Sequence, residues 1–151
     1  MKRYILTVLA ALMLAAAMTS CNKPQADDYF SIDKFVGTFS YTETRTLKYG
    51  KETTVEVKTG TLTITNPYGN ELHITAPLAT DAMFKSGGAQ FQANSVTVKD
   101  DDTDMTFQFS PGYMDRDGVT LHFGYTGVGS VKVNGKKTSA TMSAEIEGIK
   151  R

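Results

Sequence analysis

Few side chains in this sequence could act as catalytic groups, because it contains only two histidines and one cysteine. His73 and His122 each lie between two apolar residues of an alternating stretch, so in a strand both would point away from the apolar face. The sequence has no nucleophile elbow, no His-Glu-x-x-His pair and no glycine-rich phosphate loop. It therefore predicts a protein that is not an enzyme and that needs no cofactor.

Carboxylates are more abundant, and they cluster in two segments, Asp100–Asp104 and Asp115–Asp117. Their oxygens could bind Ca²⁺, but neither segment has the spacing of an EF-hand. Such charge clusters are not buried, so we expect them in loops and predict no metal site, with calcium binding as the alternative. Five glutamates are expected in turns or opposite the apolar face: Glu52, Glu56, Glu71, Glu145 and Glu147.

Cys21 is the residue with the clearest chemical role. Lys2 and Arg3 precede an apolar run from Tyr4 to Met18 of about 15 residues, which is shorter than the ~20 needed to span a bilayer. This pattern predicts a signal peptide over residues 1–20. The residues Met-Thr-Ser-Cys that end at Cys21 resemble a bacterial lipobox, which implies cleavage before Cys21 and its acylation, with palmitate among the chains. Several acyl chains make a stable membrane anchor. The alternative is an incidental thiol near an ordinary cleavage site.

Residues 21–29 are polar and contain Pro24, so they predict a flexible lipidated tether. Gln25 to Asp28 resembles the short acidic export signal of surface lipoproteins of Bacteroidetes, although a solvated linker is the alternative. These features predict an outer-membrane lipoprotein of the cell envelope, either periplasmic or surface-exposed.

Removal of residues 1–20 leaves 14 basic against 16 acidic residues. A negative balance of this kind argues against nucleic acid as a partner.

Residues 30–151 predict one antiparallel all-β domain. Threonine, valine and aromatic residues alternate with polar ones, and turn residues interrupt them roughly every 8 to 14 positions. About eight strands with short connections favour an up-and-down barrel, because closure leaves no exposed edge. Asn134-Gly135 is the strongest hairpin signal. A change of parity at Thr59-Gly60 predicts a bulge in a long second strand, and the broken pattern at 78–87 predicts a short flap with a turn of helix.

The opening of this domain carries a family resemblance. Phe30 to Tyr41 resembles the start of lipocalins and other calycins, and of calycin-like lipoproteins of Bacteroidetes, in which a short 3₁₀ turn precedes a Gly-x-aromatic motif. Here Gly37 and Phe39 occupy that motif, and phenylalanine replaces the lipocalin tryptophan. The resemblance implies an eight-stranded calycin-like barrel. It also implies that a basic residue of the last strand, Arg151 or Lys150, packs on the Phe39 ring.

The residues inside such a barrel decide what it could bind. An eight-stranded barrel is just wide enough to be filled by side chains or to hold one small ligand. Aromatic residues favour a mostly filled core, whereas alanines leave space near one mouth. The predicted function is binding of a small apolar ligand or lipid by a monomer. The alternative is an accessory or inhibitor module that binds an envelope protein through its loops. The candidate pocket residues are Tyr41, Met83, Phe84, Phe107, Phe123 and Tyr125.

Overall fold

The computed structural model describes residues 31–85 and 90–151, and most of these residues are in β-strands. The predicted signal peptide, Cys21 and the tether lie outside the described residues. In the residues that are described, no helix is long and apolar enough to cross a membrane. A 3₁₀ turn, Ile32–Lys34, precedes the first strand. The strands are β1 (Gly37–Tyr49), β2 (Glu52–Thr65), β3 (Glu71–Ile74), β4 (Thr80–Lys85), β5 (Gln90–Ala93), β6 (Val96–Lys99), β7 (Thr103–Phe109), β8 (Gly112–Met114), β9 (Thr120–Val133) and β10 (Lys136–Lys150).

Eight of these strands close into one antiparallel ring. Its order is β1, β2, β3, β4, β5, β8, β9 and β10, and β10 pairs again with β1. Except between β5 and β8 and at the closure between β10 and β1, neighbours in the ring are neighbours in the sequence, so most connections are short. Asn134 and Gly135 form the predicted turn between β9 and β10, both with positive φ. The prediction of an antiparallel all-β domain is confirmed.

The other two strands, β6 and β7, form a hairpin beside the ring. β6 pairs with β7, and β7 pairs with residues 125–131 of β9. The beginning of β9 pairs instead with β8, through Leu121 and His122. β9 therefore changes partner along its length. The sequence predicted about eight strands and the described residues form ten, because β4 lies in the segment that was predicted as a flap and β8, with three residues, is too short to show alternation.

β1 and β2 form a hairpin that extends past the ring. Only Ile64 and Thr65 of β2 pair with β3, so among the described residues β2 from Glu52 to Thr59 has a partner strand on one side only, and we call this part the hairpin extension. The register between β1 and β2 is constant along the whole of β1. The predicted bulge at Thr59-Gly60 was therefore wrong. Without a bulge, Val55 and Val57 stay on the outer face of the sheet, where each is 63% exposed.

Residues 78–85 do not form a flap. Thr80–Lys85 is strand β4, which pairs with β3 on one side and with β5 on the other. Burial alternates along β4, with Phe84 buried and Met83 52% exposed. The prediction of a helical turn was wrong because β4 has small and polar residues before Met83, and these residues hide the two-residue period.

The interior of the ring is packed by one cluster of apolar side chains. Phe35, directly after the 3₁₀ turn, is fully buried at one end of this cluster. Its ring centroid lies 5.6 Å from that of Phe84 and 5.6 Å from that of Phe91. These rings are tilted or edge-on to each other, as aromatic pairs prefer. Phe35 therefore links the 3₁₀ turn to β4 and β5.

Phe39 is fully buried, and a cation lies over its ring as the resemblance implied. That cation is Lys150, whose Nζ is 5.8 Å from the ring centroid. Arg151 instead donates a hydrogen bond of 2.7 Å from its Nε to Ser40 Oγ. Gly37 makes room for Lys150, because a Cβ at Gly37 would lie 2.8 Å from the Lys150 Cε. Of the two candidates, Lys150 is the ring contact.

Candidate functional site

A groove with a volume of about 820 Å³ lies on the outer face of the sheet, where β1, β10 and β9 run side by side. We call it the outer groove. The strand register places many of its residues in two rows that cross the strands. One row is Thr46, Ser143, Thr126 and Gln108. The second row is Thr44, Glu145, Gly124 and Ser110. Polar side chains therefore surround Gly124.

Gly124 forms the floor of the outer groove. A Cβ at this position would lie 2.6 Å from the backbone oxygen of Ala144, so β9 and β10 would have to separate to accept another residue. The amide and the hydroxyl of Ser110 both donate to the Gly124 carbonyl oxygen, at 3.0 and 3.2 Å. These bonds hold the β7–β8 connection beside the floor. The depression exists because the central residue has no side chain while its neighbours do.

One end of the outer groove is formed by Tyr113 of β8 and His122 of β9. Their rings are stacked, with centroids 4.9 Å apart and an angle of 22° between the planes. His122 Nε2 lies 3.2 Å from Asp115 Oδ2, which fixes the orientation of the imidazole. Tyr113 remains 44% exposed. Its ring is therefore held in position while part of it stays accessible from the groove.

The outer groove offers hydrogen-bond donors and acceptors beside an apolar surface that includes Phe109 and Pro111. Hydroxyl groups can donate and accept, the Gln108 amide can do both, and the Glu145 carboxylate accepts. The volume is within the ~300 to 1,000 Å³ that is usual for small-molecule sites. The arrangement can therefore hold a polar ligand against Tyr113. The hydroxyl side chains are Thr44, Thr46, Ser110, Thr126 and Ser143.

The inner face of the same strands carries a polar triad of Glu43, Arg45 and Tyr125, in which Glu43 and Tyr125 are buried and Arg45 is partly exposed. Glu43 is 1% exposed, and the Nη2 of Arg45 lies 3.0 Å from its Oε2 and 3.1 Å from its Oε1. The Tyr125 hydroxyl donates to Oε1 of the same carboxylate. Burial, followed by the hydrogen bond to Glu43 and the charge of Glu43, raises the pKa of Tyr125 above its ordinary value. The phenol therefore remains a donor at neutral pH.

Glu43 was not among the predicted site residues, although strand parity indicates its position. Phe39 was placed on the inner face, and alternation continues from it to Glu43 and Arg45. An acid and a base two residues apart on an inner face are the signal of a buried ion pair. The same parity puts Glu52 and Glu56 on the inner side of the sheet, so their predicted placement was wrong. Both are nevertheless exposed, because they lie in the hairpin extension.

The predicted pocket residues do not lie around one open space. Four of them are buried: Phe84, Phe107, Phe123 and Tyr125. The structure brings Phe107 and Tyr125 together, with ring centroids 5.4 Å apart. The Tyr41 ring covers Gly60, where a Cβ would lie 2.8 Å from it. Met83 is on the outer side of β4 and is separated from the others.

The two histidines lie on opposite sides of the ring. His73 is on β3 and His122 is on β9, and three strands separate β3 from β9 in either direction. His73 Nδ1 lies 2.7 Å from Asp81 Oδ1, so each histidine has its own aspartate.

Asp117, in one of the two acidic segments, accepts hydrogen bonds from the amides of residues 119 and 120, which hold the pKa of its carboxyl group below the ordinary value. Within residues 31–85 and 90–151, no group of three or more histidine, cysteine, aspartate or glutamate side chains is placed to hold a metal ion.

No family model matches this chain, and no curated protein is significantly similar to it. Among solved structures, it is similar to an auxiliary nutrient binding protein from Bacteroides thetaiotaomicron, with 11% sequence identity and a TM-score of 0.31. The alignment covers 76% of this chain and 46% of that protein, so the chain spans less than half of its length. A similarity at this level assigns no family. The eight-strand ring follows from the strand pairing of the chain itself.

Proposed function

We propose that this chain is the non-catalytic binding domain of a cell-envelope lipoprotein, and that it binds a polar, hydroxyl-bearing ligand in the outer groove. One contrast supports this proposal. The interior of the ring is occupied by the protein's own side chains, whereas the outer groove is open and has a volume of about 820 Å³. The site that the geometry favours is therefore on the outer face and not inside the ring, where the sequence predicted an apolar ligand.

The side chains of the outer groove favour a saccharide over a lipid chain. A hydrocarbon chain would cover the hydroxyls of Thr44, Ser143 and Thr126 without giving them hydrogen bonds, and such loss of partners is costly. A sugar offers hydroxyl groups to these residues and to Glu145. Its apolar C–H face can lie on the exposed part of the Tyr113 ring. The proposed ligand is therefore a sugar or the end of a glycan chain.

Two further parts of the proposal concern catalysis and family. The two histidine–aspartate pairs lie on opposite sides of the ring, which supports a binding role because they cannot converge on one substrate. The 3₁₀ turn, the ring of eight strands and the contact between Lys150 and Phe39 support a calycin-type barrel. A fold of this kind hosts many functions, so the ligand is inferred from the groove and not from the fold.

A Tyr113→Ala variant is expected to bind saccharides about 3- to 10-fold more weakly, which corresponds to one aromatic contact. The measurement is NMR titration of the protein with a panel of mono- and oligosaccharides and a matched panel of fatty acids. Shifts should concentrate at Thr44, Thr126 and Ser143. Tyr68→Ala is the matched control, because Tyr68 is exposed in the connection between β2 and β3 and does not line the groove. Binding of a fatty acid, with chemical-shift changes at the buried Phe107, would instead favour an apolar ligand inside the ring.

A Cys21→Ala variant is expected to lose its membrane anchor, because the thiol is the proposed site of acylation. In the bacterial host, the wild-type protein should partition into the detergent phase and the variant should remain uncleaved or become soluble. Phase partitioning and intact mass are the measurements, and Asn22→Ala is the control. If the Cys21→Ala protein is cleaved at the same position and still partitions into detergent, the lipoprotein proposal is wrong.

A further inference from the structure

One edge of the sheet is open along most of β2. Throughout its length β2 is paired with β1, but on its other side only its last residues reach β3. Among the described residues, none pairs with this side of β2 between Glu52 and Lys58. A row of unpaired backbone groups is a template for another strand. Every residue of β2 from Glu52 to Thr59 is exposed, so nothing in the described chain covers this edge.

The geometry of β2 shows which residues present their backbone groups to the open edge. Thr63 donates its N–H to Thr75 Oγ1 at 2.9 Å, and its carbonyl oxygen accepts from the Thr75 N–H at 3.1 Å. Both groups of Thr63 therefore point away from β1. Because this direction alternates along a strand, Val55 and Val57 also point their N–H and C=O groups away from β1. These groups are free to pair at the open edge.

The side chains of this edge are self-complementary in an antiparallel arrangement. If two copies of β2 pair with Val55 opposite itself, Glu52 of each copy lies opposite Lys58 of the other. The backbone N–H and C=O groups of the two Val55 residues then bond to each other. Glu52 and Lys58 face each other at a position without backbone hydrogen bonds, where opposite side chains lie closer together. A register that is centred on Thr54 would place Glu52 opposite Glu56, with like charges facing each other. Charge therefore disfavours the Thr54 register. A register centred on Val57 would place Glu56 opposite Lys58, but these two residues already form an ion pair within each strand, with Lys58 Nζ 3.2 Å from Glu56 Oε2, so the register centred on Val55 is the one that adds a new charge pair through Glu52.

We infer that a second copy of this chain pairs with the open edge of β2, so that the sheet continues through a two-fold dimer centred on Val55. The same patch serves both copies, which is the usual arrangement of a symmetric dimer. Backbone hydrogen bonds supply the attraction, as when an edge strand binds an extended segment. Two edge strands bury less surface than a standard interface, so we expect a reversible dimer whose dissociation constant is micromolar or weaker. The sequence alone predicted a monomer.

Exchange of the two charges tests this dimer. The Glu52→Lys and Lys58→Glu variants each place like charges opposite one another in the dimer. Either variant alone should raise the dissociation constant roughly tenfold, since two attractive pairs become repulsive. An equal mixture of the two variants should associate again, because each copy then supplies the charge that the other needs. Sedimentation velocity over a range of protein concentrations, in density-matched detergent, measures both results.

Two further variants separate this edge from other contacts. Val55→Pro removes an N–H that faces the open edge and leaves the bonds to β1 intact, so the dimer should be lost while circular dichroism and thermal unfolding stay close to wild type. Lys48→Glu is the matched control, because Lys48 is exposed on β1 away from the edge, and it should leave the association unchanged. A protein that stays monomeric at every concentration overturns the inference. A dimer that persists in Val55→Pro, or charge variants that do not recover when mixed, also overturns it.

Discussion

Replacement of Arg45 by methionine is expected to lower the free energy of unfolding by about 3 to 5 kcal/mol. The reason is the position of Glu43, which is 1% exposed and whose carboxylate receives all three of its charged hydrogen bonds from Arg45. Without the guanidinium, a buried negative charge would keep only the Tyr125 hydroxyl as a partner. Arg45 itself is partly exposed, so water could reach the gap, and the lower end of this range is the better estimate.

The second step of this experiment replaces both partners. The Glu43→Leu/Arg45→Met variant should be more stable than Arg45→Met and should lie within about 2 kcal/mol of the wild type, because no buried charge remains. Urea unfolding measures all three proteins. Lys48→Met is the control, since it removes an exposed cation from the same strand and should change stability by less than about 0.5 kcal/mol. If the double variant is less stable than Arg45→Met, the triad contributes to stability through packing and not through paired charge.

A Phe39→Ala variant is expected to lose about 3 to 5 kcal/mol of unfolding free energy. Phe39 is fully buried at the start of β1, and its removal leaves a cavity between the ring wall and the apolar cluster. Lys150 would also lose the aromatic face below its ammonium group. A loss of this size is a large share of the stability of an ordinary domain, so the variant should unfold at clearly lower urea concentrations.

Lys150→Met separates the two contributions at this position. The methionine keeps apolar contact with the ring and removes the charge, so the loss should be about 1 kcal/mol or less. Tyr68→Ala is the control for removal of an aromatic ring at an exposed site and should be close to neutral. A change below 1 kcal/mol in Phe39→Ala would mean that the ring is not part of the core, and it would contradict the register of β1.

Periodicity correctly indicated the inner faces of β9 and β10 but not that of β2, where Val55 and Val57 are exposed on the outer face. In β10 the alternation of Ala140, Ala144 and Ile146 predicted the inner face, and all three are buried. A turn that requires positive φ, Asn134-Gly135, located the hairpin between β9 and β10. Periodicity was less informative where strands are short or where polar residues face inward. For this reason β4 was mistaken for a flap, and Glu43 was missed on a face that Phe39 had already identified.

The strand class, the inner faces of β9 and β10 and the tight turn at Asn134-Gly135 follow from local sequence patterns, and the family resemblance identified Phe39 as the ring that a basic residue of β10 covers. Which strands meet depends on the tertiary fold. The outer groove requires Thr44, Gly124 and Glu145 to become neighbours, and this depends on the closure of β10 onto β1 and on the change of partner along β9. Alternation is a local property that assigns a residue to a face. Pairing joins segments remote in sequence and is set by register and curvature, so a site built across four strands emerges only when the ring closes.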